Sequence, residues 1–138
     1  MRKAGLWICI ALFFGRVLGQ ALTAIYAPPG LPPMDAWYSG LVPYPVLLPI
    51  QICLLMFLSL VAYDHSRGEG RLLQRTRRVS KALRSAAFLY AGVMIARYLV
   101  ATTFGDTPHW YSGGLIPVTF HLVLATFLYL AGSSQRGQ

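Results

Sequence analysis

The sequence predicts an all-α integral membrane protein, a single domain of four transmembrane helices. Of its 138 residues, 56% are hydrophobic and only 12% are charged, about half the charged share of an ordinary soluble domain. A helix needs about 20 apolar residues to cross about 30 Å of hydrocarbon. Four windows meet or nearly meet that length: 5–26, 45–63, 85–104 and 115–132.

The first window also has features of a cleavable signal peptide. It follows the basic residues Arg2 and Lys3 and opens with a short apolar stretch. The apolar character resumes after Arg16, however, and continues to Tyr26. Because this total length suits a membrane span, we interpret the segment as a retained helix.

The distribution of basic residues predicts the orientation of the four helices. Ten of the twelve Lys and Arg residues lie near the start, in the connection between the second and third windows, or at Arg136. The other two connections have none, and instead contain Asp35 and Asp106. This positive-inside pattern predicts cytoplasmic N and C termini in a bacterial-type inner (plasma) membrane. The net charge of +8 therefore reflects topology, and we expect no nucleic-acid partner.

An internal repeat predicts the arrangement of the helices. The stretches DAWYSGLVPYPVLLP (35–49) and PHWYSGGLIPVTFH (108–121) share Trp-Tyr-Ser-Gly, and aligning Pro49 with Pro117 also places Arg16 opposite Arg97. We divide the chain into repeat A (about 5–63) and repeat B (about 85–132), followed by a short tail (133–138). Because each repeat holds two spans, the halves form a 2+2 parallel repeat about an axis along the membrane normal.

The segment 64–84 is predicted to be a basic cytoplasmic loop that contacts the membrane. Apolar and basic side chains alternate at helical spacing, with Leu72 and Leu83 on one face and Arg71 and Arg75 on another. Such a basic amphipathic helix is typical of segments that bind anionic lipid headgroups.

Small residues at a spacing of four predict where helices approach closely. They are Ala11, Gly15 and Gly19 in the first span, and Gly92 and Ala96 in the third. This spacing lets helix backbones pack closely in lipid.

Two arginines within the spans are the strongest functional signal. Arg16 lies near the middle of the first span and Arg97 in the outer half of the third. An arginine at the bilayer centre costs about 2.5–3.5 kcal/mol on insertion scales, so such residues usually face a paired interior site. No span contains a carboxylate. The partners are therefore backbone carbonyls, amides, hydroxyls, the loop acids or an anionic ligand.

Other polar residues at a similar depth complete a predicted ligand-binding site. Gln20 follows Arg16 by one helical turn, and Gln51, Thr119 and His121 lie in the outer halves of the second and fourth spans. Trp37 and Trp110 of the repeated motif are either walls of an outward-facing pocket or members of an interfacial aromatic belt. The predicted set is Arg16, Gln20, Gln51, Arg97, Thr119, His121, Trp37 and Trp110.

The candidate catalytic residue is His121, the only histidine within a predicted span. It acts either as an acid or base, or as a neutral residue that hydrogen-bonds a neighbouring helix. We predict no metal site, and no Walker loop, dinucleotide fingerprint or HExxH motif identifies a cofactor.

Three functions are compatible with this pattern. The first is the binding of an amphiphilic or anionic ligand, lipid-like or quinone-like, at an outward-facing polar site. The second is a small membrane enzyme that acts on a lipid-like substrate through His121. The third is a homodimeric transporter or an accessory subunit of a larger membrane complex.

Overall fold

The computed structural model describes residues 1–37, 42–68, 77–104 and 114–133, and these residues form four long α-helices and one short 3₁₀ turn. Each helix is long and apolar enough to cross a membrane, which confirms the predicted all-helical membrane fold. In chain order they are α1 (Arg2–Tyr26), α2 (Tyr44–Ser66), α3 (Arg77–Phe104) and α4 (Leu115–Gly132), with the 3₁₀ turn at Met34–Ala36.

The core is built around one face of α1. Its buried residues follow a spacing of three and four, so they form a single stripe along the helix. They are Leu6, Cys9, Ile10, Phe13, Arg16, Val17, Gln20 and Thr23. The apolar members pack against Leu58 and Val61 of α2 and Phe127 of α4. Arg16 and Gln20 therefore lie on the core face of α1.

The helices pack in the spatial order α2, α1, α4, α3. α1 contacts both α2 and α4, whereas α3 packs mainly on α4. A twofold axis relating α1 to α3 and α2 to α4 would require α2 to pack on α3 as α1 packs on α4. The described residues show no such packing of α2 on α3. The 2+2 repeat therefore stays a prediction from the sequence.

One end of the bundle, which we call the basic end, brings together the start of α1 and the ends of α2 and α4. Arg2 donates to the carbonyl of Ser133 at 2.7 Å, and Lys3 donates to the carbonyl of Ser66 at 2.8 Å. The first turns of α3 pack there too, since the backbone of Ser80 lies against Gly132. The described cations of this end are Arg2, Lys3, Arg67, Arg78, Lys81 and Arg84.

The third helix begins earlier than the sequence predicts. α3 is continuous from Arg77 to Phe104, so the last part of the predicted loop 64–84 belongs to the same helix as the membrane span. Residues 69–76, which include Leu72, Arg71 and Arg75, lie outside the described residues. A strong helical propensity in Lys81, Ala82, Leu83 and Arg84 explains why the helix does not break before the span.

Most of the small residues predicted to mark close helix packing do not pack against another described helix of the bundle. Ala11, Gly15, Gly92 and Ala96 are exposed on the bundle surface, and a Cβ added at either glycine would meet nothing within 4 Å. Close helix contacts occur instead at Gly5 and Gly132, where an added Cβ would lie 2.9 and 3.0 Å from neighbouring helices. The core stripe of α1 faces the other way, which leaves the small residues outside.

Candidate functional site

Arg16 is a buried cation held by the backbone and an aromatic ring. Its exposed fraction is 9%, and its Nη2 donates to the carbonyl oxygen of Trp37 at 2.8 Å. The guanidinium carbon also lies 5.4 Å from the centre of the Phe120 ring, within the range of a cation–π interaction. Neither partner carries a negative charge, so the positive charge of Arg16 is not neutralised by these contacts.

A pair of buried glutamines joins α1 to α2 beside Arg16. Nε2 of Gln51 donates to Oε1 of Gln20 at 3.0 Å, and both side chains are buried. The remaining amide atoms, Nε2 of Gln20 and Oε1 of Gln51, have no hydrogen-bond partner among the described residues, and neither has Nε of Arg16. Leaving a buried polar atom unpaired costs about 1–3 kcal/mol. If these two positions contributed only to packing, apolar side chains would stabilise the protein more, because they leave no polar atom unpaired.

A cavity of about 230 Å³ at the depth of these residues is lined by side chains from all four helices. We call it the arginine cavity. Its polar lining comes from Arg16 of α1, Gln51 of α2, Arg97 of α3 and His121 of α4. The other described lining residues are apolar: Phe13, Val42, Leu47, Ile50, Leu54, Pro117 and Leu124. The structure thus brings four of the eight predicted site residues around one space, with Gln20 bonded to Gln51 beside it.

Arg97 differs from Arg16 because its side chain is exposed on the bundle surface as well as lining the cavity. No hydrogen bond or ion pair joins Arg97 to another described residue. Among the described residues that line the cavity there is no aspartate or glutamate. Of the two loop acids that the sequence offers as partners, Asp35 is exposed on the 3₁₀ turn and Asp106 lies outside the described residues. Among its described lining residues, the cavity therefore holds two guanidinium groups and no acidic side chain to balance their charge.

His121 is oriented by a tyrosine that the sequence analysis missed. A hydrogen bond joins the hydroxyl of Tyr90 on α3 to Nδ1 of His121, and the two rings meet edge to face at 5.6 Å. Tyr90 precedes Arg97 by seven residues, which places both on the same face of α3. That spacing is the signal that could have identified Tyr90. With Nδ1 engaged, Nε2 is the ring nitrogen left for a ligand.

Two more of the predicted site residues, Thr119 and Trp37, are not among the described residues that line the cavity. Thr119 is exposed, and its hydroxyl donates to the carbonyl of Leu115 within α4 at 2.8 Å. Trp37 is buried against Gly19 and contributes its carbonyl to Arg16, while its indole N–H donates to the carbonyl of Pro32. Its burial argues against a place in an aromatic belt. Trp110 lies outside the described residues.

The described residues contain no group of three or more His, Cys, Asp or Glu placed to hold a metal ion. Cys9 and Cys53 are both free thiols, one buried and one exposed. The described side chains that line the cavity offer hydrogen bonding and positive charge. The arginine cavity can present several N–H donors to one group in a setting largely lined by apolar side chains.

The fold and the cavity define a small four-helix protein of membrane-spanning type, with a polar cavity among its helices. No protein-family model matches the chain, and neither does any curated protein or solved structure.

Proposed function

We propose that this protein binds the anionic headgroup of an amphiphilic molecule in the arginine cavity. The single observation that carries the proposal is the presence of two guanidinium groups in one cavity with no carboxylate among its described lining residues. An arginine within the bilayer is costly unless it is paired. A bound anion supplies the missing charge, whereas a neutral quinone supplies only acceptor atoms.

The apolar part of the lining supports an amphiphilic ligand over a small inorganic anion. Leu47, Ile50 and Leu54 follow one face of α2 at a spacing of three and four residues. Sites for small organic ligands combine such apolar walls with a few fixed polar groups. The headgroup contacts Arg16, Arg97, Gln51 and Nε2 of His121, and the apolar portion contacts α2.

The orientation that fits this function has both termini in the cytoplasm of a bacterial-type cell and the arginine cavity in the outer half of the membrane. The supporting feature is the position of the described cations other than Arg16 and Arg97, all of which belong to the basic end. Lysine and arginine near a membrane surface attract anionic headgroups by about 1 kcal/mol each. The basic end therefore also contacts anionic lipids of the inner leaflet.

An enzymatic function is favoured by a different observation, the pairing of Tyr90 with His121 at the cavity. A tyrosine and a histidine in contact can pass a proton to or from a bound substrate. The described lining offers no serine, cysteine or carboxylate as a nucleophile. Binding is therefore the primary proposal, and catalysis by His121 would be an addition to it.

The test is native mass spectrometry with lipid extraction on gently solubilised protein. We expect one anionic amphiphile per chain in the native protein and at least a tenfold lower occupancy in the Arg16→Leu, Arg97→Leu variant. Both substitutions remove an insertion penalty, so the variant should still enter the membrane. Helical content by circular dichroism checks that it folds.

A matched control removes two positive charges at the basic end through Arg78→Leu and Lys81→Leu. It should keep the amphiphile that is held in the arginine cavity, because neither residue lines the cavity, and lose only lipid that is bound at the basic end. Equal occupancy in the native protein and the cavity variant would contradict the proposal. So would a native protein that retains only neutral molecules.

A further inference from the structure

The charge in the arginine cavity sets the kind of headgroup it accepts, provided that the proposed binding function holds. Arg16 and Arg97 together contribute two positive charges, and the described lining contributes no negative charge. A carboxylate would offset one of them. A phosphomonoester carries about −1.5 to −2 near pH 7 and offers three acceptor oxygens, and arginine binds such groups through two parallel hydrogen bonds. The charge balance therefore favours a phosphomonoester.

The size of the cavity shows that it cannot hold a whole lipid. Its volume is about 230 Å³, below the roughly 300–1,000 Å³ of pockets that enclose drug-sized ligands. A phosphate and the first few carbon atoms fit this space. The remaining hydrocarbon has to leave the cavity between two helices or toward the membrane surface.

The gap between α2 and α3 is the exit that the packing provides. α1 and α4 form the back of the bundle and pack on each other, while the described residues show no comparable packing of α2 on α3. Ile50 on α2 lines the cavity and is still 54% exposed, and Arg97 on α3 lines it and is also exposed. As far as the described residues show, the cavity is therefore open between these two side chains, on the side that faces the bilayer.

We infer that the occupant is a lipid phosphomonoester that enters sideways from the bilayer. Its phosphate lies between Arg16 and Arg97, and its chains pass through the α2–α3 gap along Leu47, Ile50 and Leu54. The gap between α2 and α3 is then the entrance of the site. The chains of a lipid that enters by this route remain in an apolar environment before and after binding. Only the headgroup moves into different surroundings.

The experiment uses two phosphomonoesters that differ in their chains. Long-chain phosphatidate is supplied in nanodiscs and water-soluble dibutyryl phosphatidate is supplied in detergent, with oleate as a carboxylate of single charge. The key variant is Ile50→Trp, which narrows the gap at an exposed position and should fold. Its control is Ile52→Trp, because Ile52 is 46% exposed, does not line the cavity, and points to the opposite side of α2.

We expect Ile50→Trp to weaken the binding of long-chain phosphatidate at least tenfold, and to weaken that of dibutyryl phosphatidate much less, because its short chains extend less far into the gap. Ile52→Trp should change neither. Unchanged affinity of Ile50→Trp for the long-chain lipid would overturn the sideways entrance. Binding of oleate as tight as that of phosphatidate, lost on replacing the two arginines, would overturn the phosphomonoester while leaving the anion site in place. If no anion bound the native protein, both proposals would be wrong.

Discussion

Single residues explain how this bundle tolerates an arginine in the middle of a span. Arg16 uses one nitrogen on the carbonyl of Trp37 and places its planar group near Phe120. The sequence predicts that a backbone carbonyl is among the acceptors available to it. The carbonyl belongs to Trp37, which lies in the connection between α1 and α2, 21 residues after Arg16. Folding of that connection onto α1 is therefore part of what stabilises the buried charge.

The glutamine pair gives a prediction at the same scale. Replacing Gln20 alone by leucine should lower the free energy of unfolding by about 1–3 kcal/mol, because the Gln51 amide loses its partner while remaining buried. Replacing both glutamines by leucine should restore stability to within about 1 kcal/mol of the native protein, since no polar group then remains unpaired. Chemical unfolding in mixed micelles measures the full double-mutant cycle.

An additive result would count against this account of the pair. If the double variant lost as much stability as the two single variants together, the glutamines would be stabilising the fold independently. The same double variant should bind long-chain phosphatidate more weakly, because Gln51 lines the cavity. A stable protein with a weakened site would separate the two roles of the pair.

At the scale of the helices, the connection after α1 is anchored by the contact between Trp37 and Gly19. A Cβ built on Gly19 would lie 2.7 Å from the indole ring, closer than real contacts allow. Because Gly19 has no side chain, the indole ring of Trp37 can pack closely against α1 at this position. The sequence suggested Gly19 as a helix–helix contact, and the structure assigns it to a tryptophan from the adjoining connection.

We expect Gly19→Ala to destabilise the protein by about 1–3 kcal/mol, because the indole has to move out of a packed position. Gly15→Ala is the control on the same helix, where an added Cβ meets nothing within 4 Å. Alanine there should be neutral or stabilising by up to about 1 kcal/mol through its higher helix propensity. Thermal unfolding and tryptophan fluorescence report both effects. A similar response of the two variants would show that the Trp37 contact contributes little.

At the scale of the whole molecule, residues that the repeated motif makes equivalent do not all have the same surroundings in the bundle. Arg16 and Arg97, which the alignment makes equivalent, do line one cavity. Gln51 and Thr119 are also equivalent in the alignment, yet Gln51 is buried and Thr119 is exposed. The cavity is completed by His121, two residues further along α4. A shift of two residues turns a helical side chain by about 200°, so equivalent positions need not face the same space.

The orientation in the membrane is tested with single cysteines in a Cys9→Ala, Cys53→Ser background. An impermeant maleimide added to intact cells should label Asp35→Cys. Lys3→Cys, Arg67→Cys and Ser133→Cys should react only after the membrane is opened, because the positive-inside bias places the basic end in the cytoplasm. Labelling of Lys3→Cys in intact cells would reverse the orientation and place the cavity in the inner half of the bilayer.

The sequence by itself determined the four helices and the presence of a polar cluster at one depth. Both follow from local properties of the sequence. The length of an apolar stretch determines whether it can cross the membrane. The free-energy cost of a charge in hydrocarbon indicates that Arg16 and Arg97 have a specific role. Only the tertiary structure decided which side chains share the cavity. It left Thr119 out of the described lining, brought Tyr90 to His121, packed Trp37 on Gly19 and gave the described parts of α2 and α3 little contact with each other. Those outcomes depend on how each helix is rotated and which helices pack together, and in a nearly uniform apolar span the sequence carries little information about either.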